Sequence, residues 1–299
     1  TTLFRSWAIM TGVVALAIAV LSPILGAIAD QGRARKPWLI LFTVIMAAGS
    51  LLLWFVKPDI SDATLLLVLV AVTVVAFELS MVFYNALLPS LVPSNWLGRI
   101  SGCAWGLGYI GGVGGLLVVL FGFVLVDMPP FGLDKDPAVL ENVRMAGPVV
   151  AVWLLVFCVP LFLWTPDPRG AGLSTGAAIR NGLIELRRTL KNLSAHPQLW
   201  RYLLARMLFT DGLNTLFAFG GIFAAGTFGM GVEEVIMFGL FLNVTAGIGA
   251  FAFGWIDDRI GAKRTILIGI AGIVIVGIPL LMVESKLAFI VLGSALGIF

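Results

Sequence analysis

The sequence predicts an all-α, polytopic membrane protein built from two similar halves. Three observations lead there. Hydrophobic residues make up 60% of the 299 and charged residues 12%, against roughly half and a quarter in a soluble domain. The apolar residues gather in charge-free runs of membrane length. Two short charged loops, far apart in the chain, carry the same signature.

A spanning helix needs about 20 consecutive apolar residues. Charge-free runs cover Trp7–Ala29, Pro37–Val56, Ile100–Val126, Met145–Pro166, Val235–Ile256 and Thr265–Val283. Ala63–Pro93 and Met207–Val232 are also long enough, each with one acid, and Leu287–Phe299 opens a further run. The expectation is eight full spans, A to H in order, and a partial ninth. With no initiator Met and an apolar end, the chain reads as a piece incomplete at both ends. A β-barrel would need spans of about ten residues with alternating polarity, and that pattern is absent.

Gly26-Ala27-Ile28-Ala29-Asp30-Gln31-Gly32-Arg33-Ala34-Arg35-Lys36 follows span A, and Gly254-Trp255-Ile256-Asp257-Asp258-Arg259-Ile260-Gly261-Ala262-Lys263-Arg264 follows span G. Gly26 pairs with Gly254, Asp30 with Asp258, and Arg35-Lys36 with Lys263-Arg264, all at an offset of 228 residues. Arg33 has Gly261 opposite it, so the second copy is looser. A signature recurring in the same context implies a duplicated membrane unit. The glycines allow close helix approach. Asp30 and Asp258, at a helix exit, can pair with nearby bases or with a helix N-terminus. That makes each loop a conformational latch, Arg259 included. The alternative is a plain topology anchor, a role any basic loop can fill.

Charge placement orients the chain. The loops after A, C, E and G hold Arg33, Arg35, Lys36, Arg99, Arg169, Arg180, Arg187, Arg188, Lys191, Arg259, Lys263 and Arg264, with Arg201 and Arg206 on the same side by parity. The other side has Arg5, Lys57, Lys135, Arg144 and Lys286 among nine acids. Positive-inside reasoning puts the first set in the cytoplasm. The net charge of +3 thus reports orientation, and nucleic acid is not an expected partner.

The expected organisation is an N-terminal membrane half over 1–166, a cytoplasmic linker over 167–199 and a C-terminal membrane half over 200–299. In the linker, Ile179, Leu183, Leu186, Leu190 and Leu193 recur at spacings of four and three, with Arg180, Arg187, Arg188 and Lys191 on other faces. This is a helix lying on the membrane surface, or equally a linker helix packed on the protein. His196 is the only histidine, and Cys103 and Cys158 fall inside spans.

The charged loops resemble the signature between helices two and three, and eight and nine, of the major facilitator superfamily. The resemblance implies two pseudo-symmetric six-helix halves, of which this chain holds about helices two to ten. More narrowly, Phe83-Tyr84-Asn85-Ala86-Leu87-Leu88-Pro89, Gly98-Arg99-Ile100-Ser101-Gly102, Gly106-Leu107-Gly108-Tyr109-Ile110-Gly111-Gly112 and Asp211-Gly212-Leu213-Asn214-Thr215 resemble the branch of the fungal vacuole effluxer tied to autophagy and its bacterial relatives. The fungal relative is associated with amino-acid export. The Gly-rich span D lacks the proline and spacing of the drug-exporter antiport signature.

Two acids lie inside spans, Glu78 in C and Asp211 in F. An ionised side chain at the bilayer centre costs about 2.5–3.5 kcal/mol on insertion scales. It persists most easily facing a cavity, a partner or a proton. Asn214 and Thr215 share a helical face with Asp211, and Asn85 lies two turns from Glu78 on its face. The resemblance places both acids on walls of a central cavity. They are candidates for proton or substrate binding, with Asn85, Asn214 and Tyr84 as neighbours. Structural hydrogen bonding between helices is the competing role, and packing is the competing role for Tyr84, Trp105 and Tyr109.

No Gly-rich phosphate loop is present, and one His with two isolated Cys suits neither haem nor zinc chemistry. No cofactor and no enzyme activity are expected. The leading expectation is a secondary active transporter of a small solute, working by alternating access with proton coupling. Its partners are the lipid bilayer, the solute and protons; its place is the cell (inner) membrane if bacterial. The alternative is a lipid-handling or scaffold protein of the same fold.

Overall fold

The apolar runs become helices because hydrocarbon offers no partner to an exposed backbone group, and a helix satisfies its own. The computed structural model describes residues 2–31, 35–136, 138–167, 175–192 and 197–299. In order, α1 is Thr2–Gln31, α2 Lys36–Leu52, α3 Ala63–Leu91, α4 Leu97–Val119, α5 Glu141–Arg144 and α6 Ala146–Trp164. There follow α7 Thr175–Asn192, α8 Pro197–Phe228, α9 Val232–Ile260, α10 Ala262–Leu280 and α11 Lys286–Leu296. Among the described residues, seven helical segments are long and apolar enough to cross a membrane, built on α1, α2, α3, α4, α6, α9 and α10. The eighth expected span is α8, which carries Arg201, Arg206 and Asp211. The partial ninth is α11. The expected linker helix is α7.

The chain divides into two compact units, Thr1–Leu91 with Gly115–Leu190, and Val92–Gly114 with Lys191–Phe299. The first part of α4 therefore groups with the second unit. Its glycines explain this. A Cβ added at Gly98 would stand 2.8 Å from the Gly254 carbonyl oxygen, and one at Gly102 would stand 2.8 Å from the Gly254 Cα. Gly106 likewise lies against the Phe251 ring. Three glycines at four-residue spacing give α9 a groove that side chains would fill.

In the first unit the core joins α1, α2 and α3. Phe83 is fully buried among Leu25, Ile28, Leu39, Phe42, Met46 and Leu79. Trp38 stacks on Phe83 with centroids 5.6 Å apart and planes 7° from parallel. The core of the second unit is aromatic. Phe289 sits 4.6 Å from Phe228 and 5.3 Å from Phe238, with Ala224 and Met230 buried beside them.

Candidate functional site

Each unit carries a carboxylate that grips the start of a helix. In the second unit, the Asp258 Oδ1 accepts the Gly98 N–H at 2.8 Å and Oδ2 accepts the Arg99 N–H at 3.1 Å. These are orphan donors of the first turn of α4, where negative charge meets the positive end of the helix dipole. The Arg99 Nε lies 3.0 Å from Oδ2, an ionic contact rather than a directed hydrogen bond. The Asp258 side chain is only 3% exposed. The Arg99 guanidinium also lies 5.5 Å from the Trp96 ring and 5.1 Å from the Trp255 ring, so two aromatic faces hold it.

In the first unit the gripping residue is Asp167. Its two oxygens accept the Arg35 and Lys36 N–H groups, each at 3.1 Å, at the start of α2. The two side chains then reach helix ends. Arg35 Nη1 donates to the Ala86 carbonyl at 2.7 Å and Nε to the Ala29 carbonyl at 3.2 Å. Lys36 Nζ donates to the Phe162 carbonyl at 3.0 Å. Cations at helix C-termini are favourable for the same dipole reason. Arg35, Lys36 and Asp167 thus tie together one end of α1, α2, α3 and α6.

The paired glycines of the two loops differ. A Cβ at Gly254 would meet the Gly98 carbonyl oxygen at 2.7 Å and the Gly102 Cα at 3.0 Å. At Gly26 it would stand 3.8 Å from Val82, an ordinary contact. Gly261 ends α9 with φ +84° and ψ 153°, a backbone region open essentially to glycine alone. That conformation accounts for the glycine opposite Arg33. Arg33 and the Asp30 side chain lie outside the described residues. Arg259, Lys263 and Arg264 are on the flanking ends of α9 and α10, and no ion pair to them is found among the described residues.

Glu78 and Asn85 lie on the exposed face of α3, opposite the buried Ala76, Leu79, Phe83 and Leu87. Asp211 is exposed near the middle of α8. Among the described residues, neither acid has a hydrogen-bond or ion partner. The Asn214 side chain is outside the described residues. Tyr84 is half-buried and packs on the Phe83 core. Thr215 and Asn243 line an apolar cavity of about 430 Å³ with Phe238, Leu242 and Phe289. Thr245 makes an interhelical bond, donating to the Ser294 carbonyl at 2.6 Å.

Asp167, Trp96 and Trp255 carry no signature in the sequence that marks them as parts of the clamps. Asp167 sits between two prolines after span E, and nothing local ties it to Arg35, 132 positions earlier. Trp255 stands inside the quoted loop, and its offset partner Ala27 gave no hint of aromatic packing on a cation.

These features define an integral, multi-pass, all-α membrane protein with charged clamps at its base-rich helix ends. Residues 5–281 match the family described as vacuole effluxer Atg22-like, and the chain belongs to that family. It is 24% identical over 276 residues to an uncharacterised MFS-type transporter, YxiO, of Bacillus subtilis (strain 168), covering 92% of this chain and 63% of that protein. It is also 24% identical over 267 residues to an uncharacterised protein of Aquifex aeolicus (strain VF5), covering 89% of this chain and 60% of the relative. The chain therefore spans about three-fifths of the length of these relatives. No solved structure matches it.

Proposed function

We propose that the chain forms most of a secondary active transporter that moves a small solute by alternating access. Its two halves, 1–166 and 200–299 joined by a cytoplasmic linker, rock about a site near mid-membrane. The observation that carries the reading is the pair of carboxylate clamps. Each holds a helix N-terminus through a side chain from a distant part of the chain. Such bonds release as a set when the helix end moves, which is what a conformational latch requires. Family membership and the naming of the Bacillus relative as a transporter support the class. The word effluxer in the family description supports outward movement, and the resemblance of the sequence motifs suggests a small polar metabolite such as an amino acid. In a bacterium the protein sits in the cell (inner) membrane with the clamps on the cytoplasmic side.

Glu78 and Asp211 are the coupling candidates. Each is an acid near the middle of a long apolar helix with no protein partner among the described residues. A charged side chain at that depth is costly without a partner or a water-lined cavity, which makes each a candidate site for the proton or the substrate as access alternates. The test is flux in proteoliposomes of the full-length protein, screened over amino acids and related metabolites. Glu78→Gln or Asp211→Asn is expected to abolish pH-driven flux with unchanged folding. Undiminished flux in both variants removes proton coupling through these acids. Absence of solute flux together with lipid scrambling removes the transporter reading itself.

A further inference from the structure

The linker helix α7 carries an unused surface. Gly182 is buried against the end of α1: a Cβ there would lie 2.9 Å from the Ala27 Cβ and 3.1 Å from the Ala27 carbonyl oxygen. Ala27 belongs to the last apolar turns of a membrane span. This contact sets α7 beside the end of that apolar segment. At 3.6 residues per turn, the row of Ile179, Leu183 and Leu186 runs along α7 beside the Gly182 row. Ile179 is 37% exposed and Leu183 43%. On the far edge of that apolar row stand Arg180 and Arg187, seven residues apart and so on one line, with Lys191 four further on. Arg188 lies on the next row round. All four cations are exposed. Glu185 is the only acid of the helix and stands on the side away from the apolar row.

We propose that α7 binds the anionic surface of the lipid bilayer. Its apolar row enters the headgroup boundary and its arginines contact lipid phosphates. The order around the helix is Gly182 on α1, then the apolar row, then the bases. A helix lying beside a spanning helix needs this order, with its side to the protein, its apolar face down and cations snorkelling to the headgroups. The excess of cations selects anionic over zwitterionic lipid. Because Gly182 rests on Ala27, lipid that fixes α7 also fixes the end of α1 from which the first charged loop leaves. The inference is independent of which solute moves.

The experiment is site-specific fluorescence in vesicles. A polarity-sensitive dye is placed at Leu183→Cys, and separately at Glu185→Cys as a control, in protein whose Cys103 and Cys158 are replaced by serine. Vesicles are phosphatidylcholine alone or with increasing phosphatidylglycerol, with and without a lipid-borne quencher. The dye at 183 is expected to blue-shift and become quenched as phosphatidylglycerol rises, while the dye at 185 stays in water. Added salt is expected to reverse the change. Arg180→Gln and Arg187→Gln are each expected to lower the inserted-to-free ratio about fivefold. A dye at 183 that stays aqueous at every composition overturns the proposal. So does one that is buried but unquenched and indifferent to phosphatidylglycerol, because protein then covers the face. The composition series needs no charge variant, so a variant that fails to fold leaves the test intact.

Discussion

The Asp258 carboxylate caps the α4 N-terminus through the Gly98 N–H at 2.8 Å, across 160 residues of sequence. It is nearly buried and ionically paired with Arg99. Removing it strands two first-turn donors and a partly buried cation. Asp258→Ala is expected to destabilise the protein by about 1–2 kcal/mol. Asp258→Asn is expected to cost less, because an amide oxygen still caps but no longer neutralises Arg99. Thermal unfolding in detergent checks the order: Ala below Asn below the parent. Equal midpoints for all three contradict the cap.

Asp167 performs the matching task in the first unit. Both of its oxygens are used by the α2 amides, so Asp167→Ala is expected to loosen Arg35 and Lys36 together. Hydrogen exchange at the first turn of α2 should rise in Asp167→Ala and stay at the parent level in a variant of an uninvolved exposed acid such as Asp127. Unchanged exchange at Arg35 and Lys36 would show that the cap contributes nothing.

The two loop glycines are predicted to respond differently to one added methyl group. At Gly254 the added carbon meets backbone of α4, which cannot step aside as a side chain can. Gly254→Ala should therefore destabilise by about 1–3 kcal/mol. At Gly26 the nearest atom is the Val82 methyl at 3.8 Å. Gly26→Ala should be neutral or stabilising by up to about 1 kcal/mol through helix propensity. Paired unfolding curves decide it.

Glu234 and Lys286 form an ion pair on the acid-rich side, with Nζ 2.6 Å from both carboxylate oxygens. That contact, followed by the Gly231 N–H, holds the Glu234 carboxyl below its ordinary value of 4.5. A folded-state value below the unfolded one stabilises above the unfolded pKa and is lost as pH falls through the folded one. Lys286→Met should thus lower stability slightly at neutral pH, and the difference from the parent should vanish on acidifying below the ordinary glutamate range. Both side chains are largely exposed, so salt should erase it as well. A difference that persists in acid assigns the effect to packing.

The helices were legible in the sequence because membrane spans announce themselves by length and by lack of charge. Asp258 was legible as well, since its loop repeats an earlier one. Its partner was not. The Gly98 and Arg99 amides are backbone groups with no signature of their own, and Asp167 lies in an irregular stretch that resembles a linker. Nor does repetition guarantee equal packing: Gly26 and Gly254 occupy matching positions, yet only Gly254 faces another helix backbone. The glycine at 261 reads as a flaw in the repeat until its positive φ is known.

A latch at Asp258 is expected to open during transport. Arg99→Cys with Asp258→Cys, in protein lacking Cys103 and Cys158, lets a short reducible cross-linker replace the ion pair and hold the ends of α4 and α9 together. Solute flux in proteoliposomes is measured before cross-linking, after it and after reduction. Flux is expected to stop when the link forms and to return when the link is cleaved. Undiminished flux through fully cross-linked protein would contradict it.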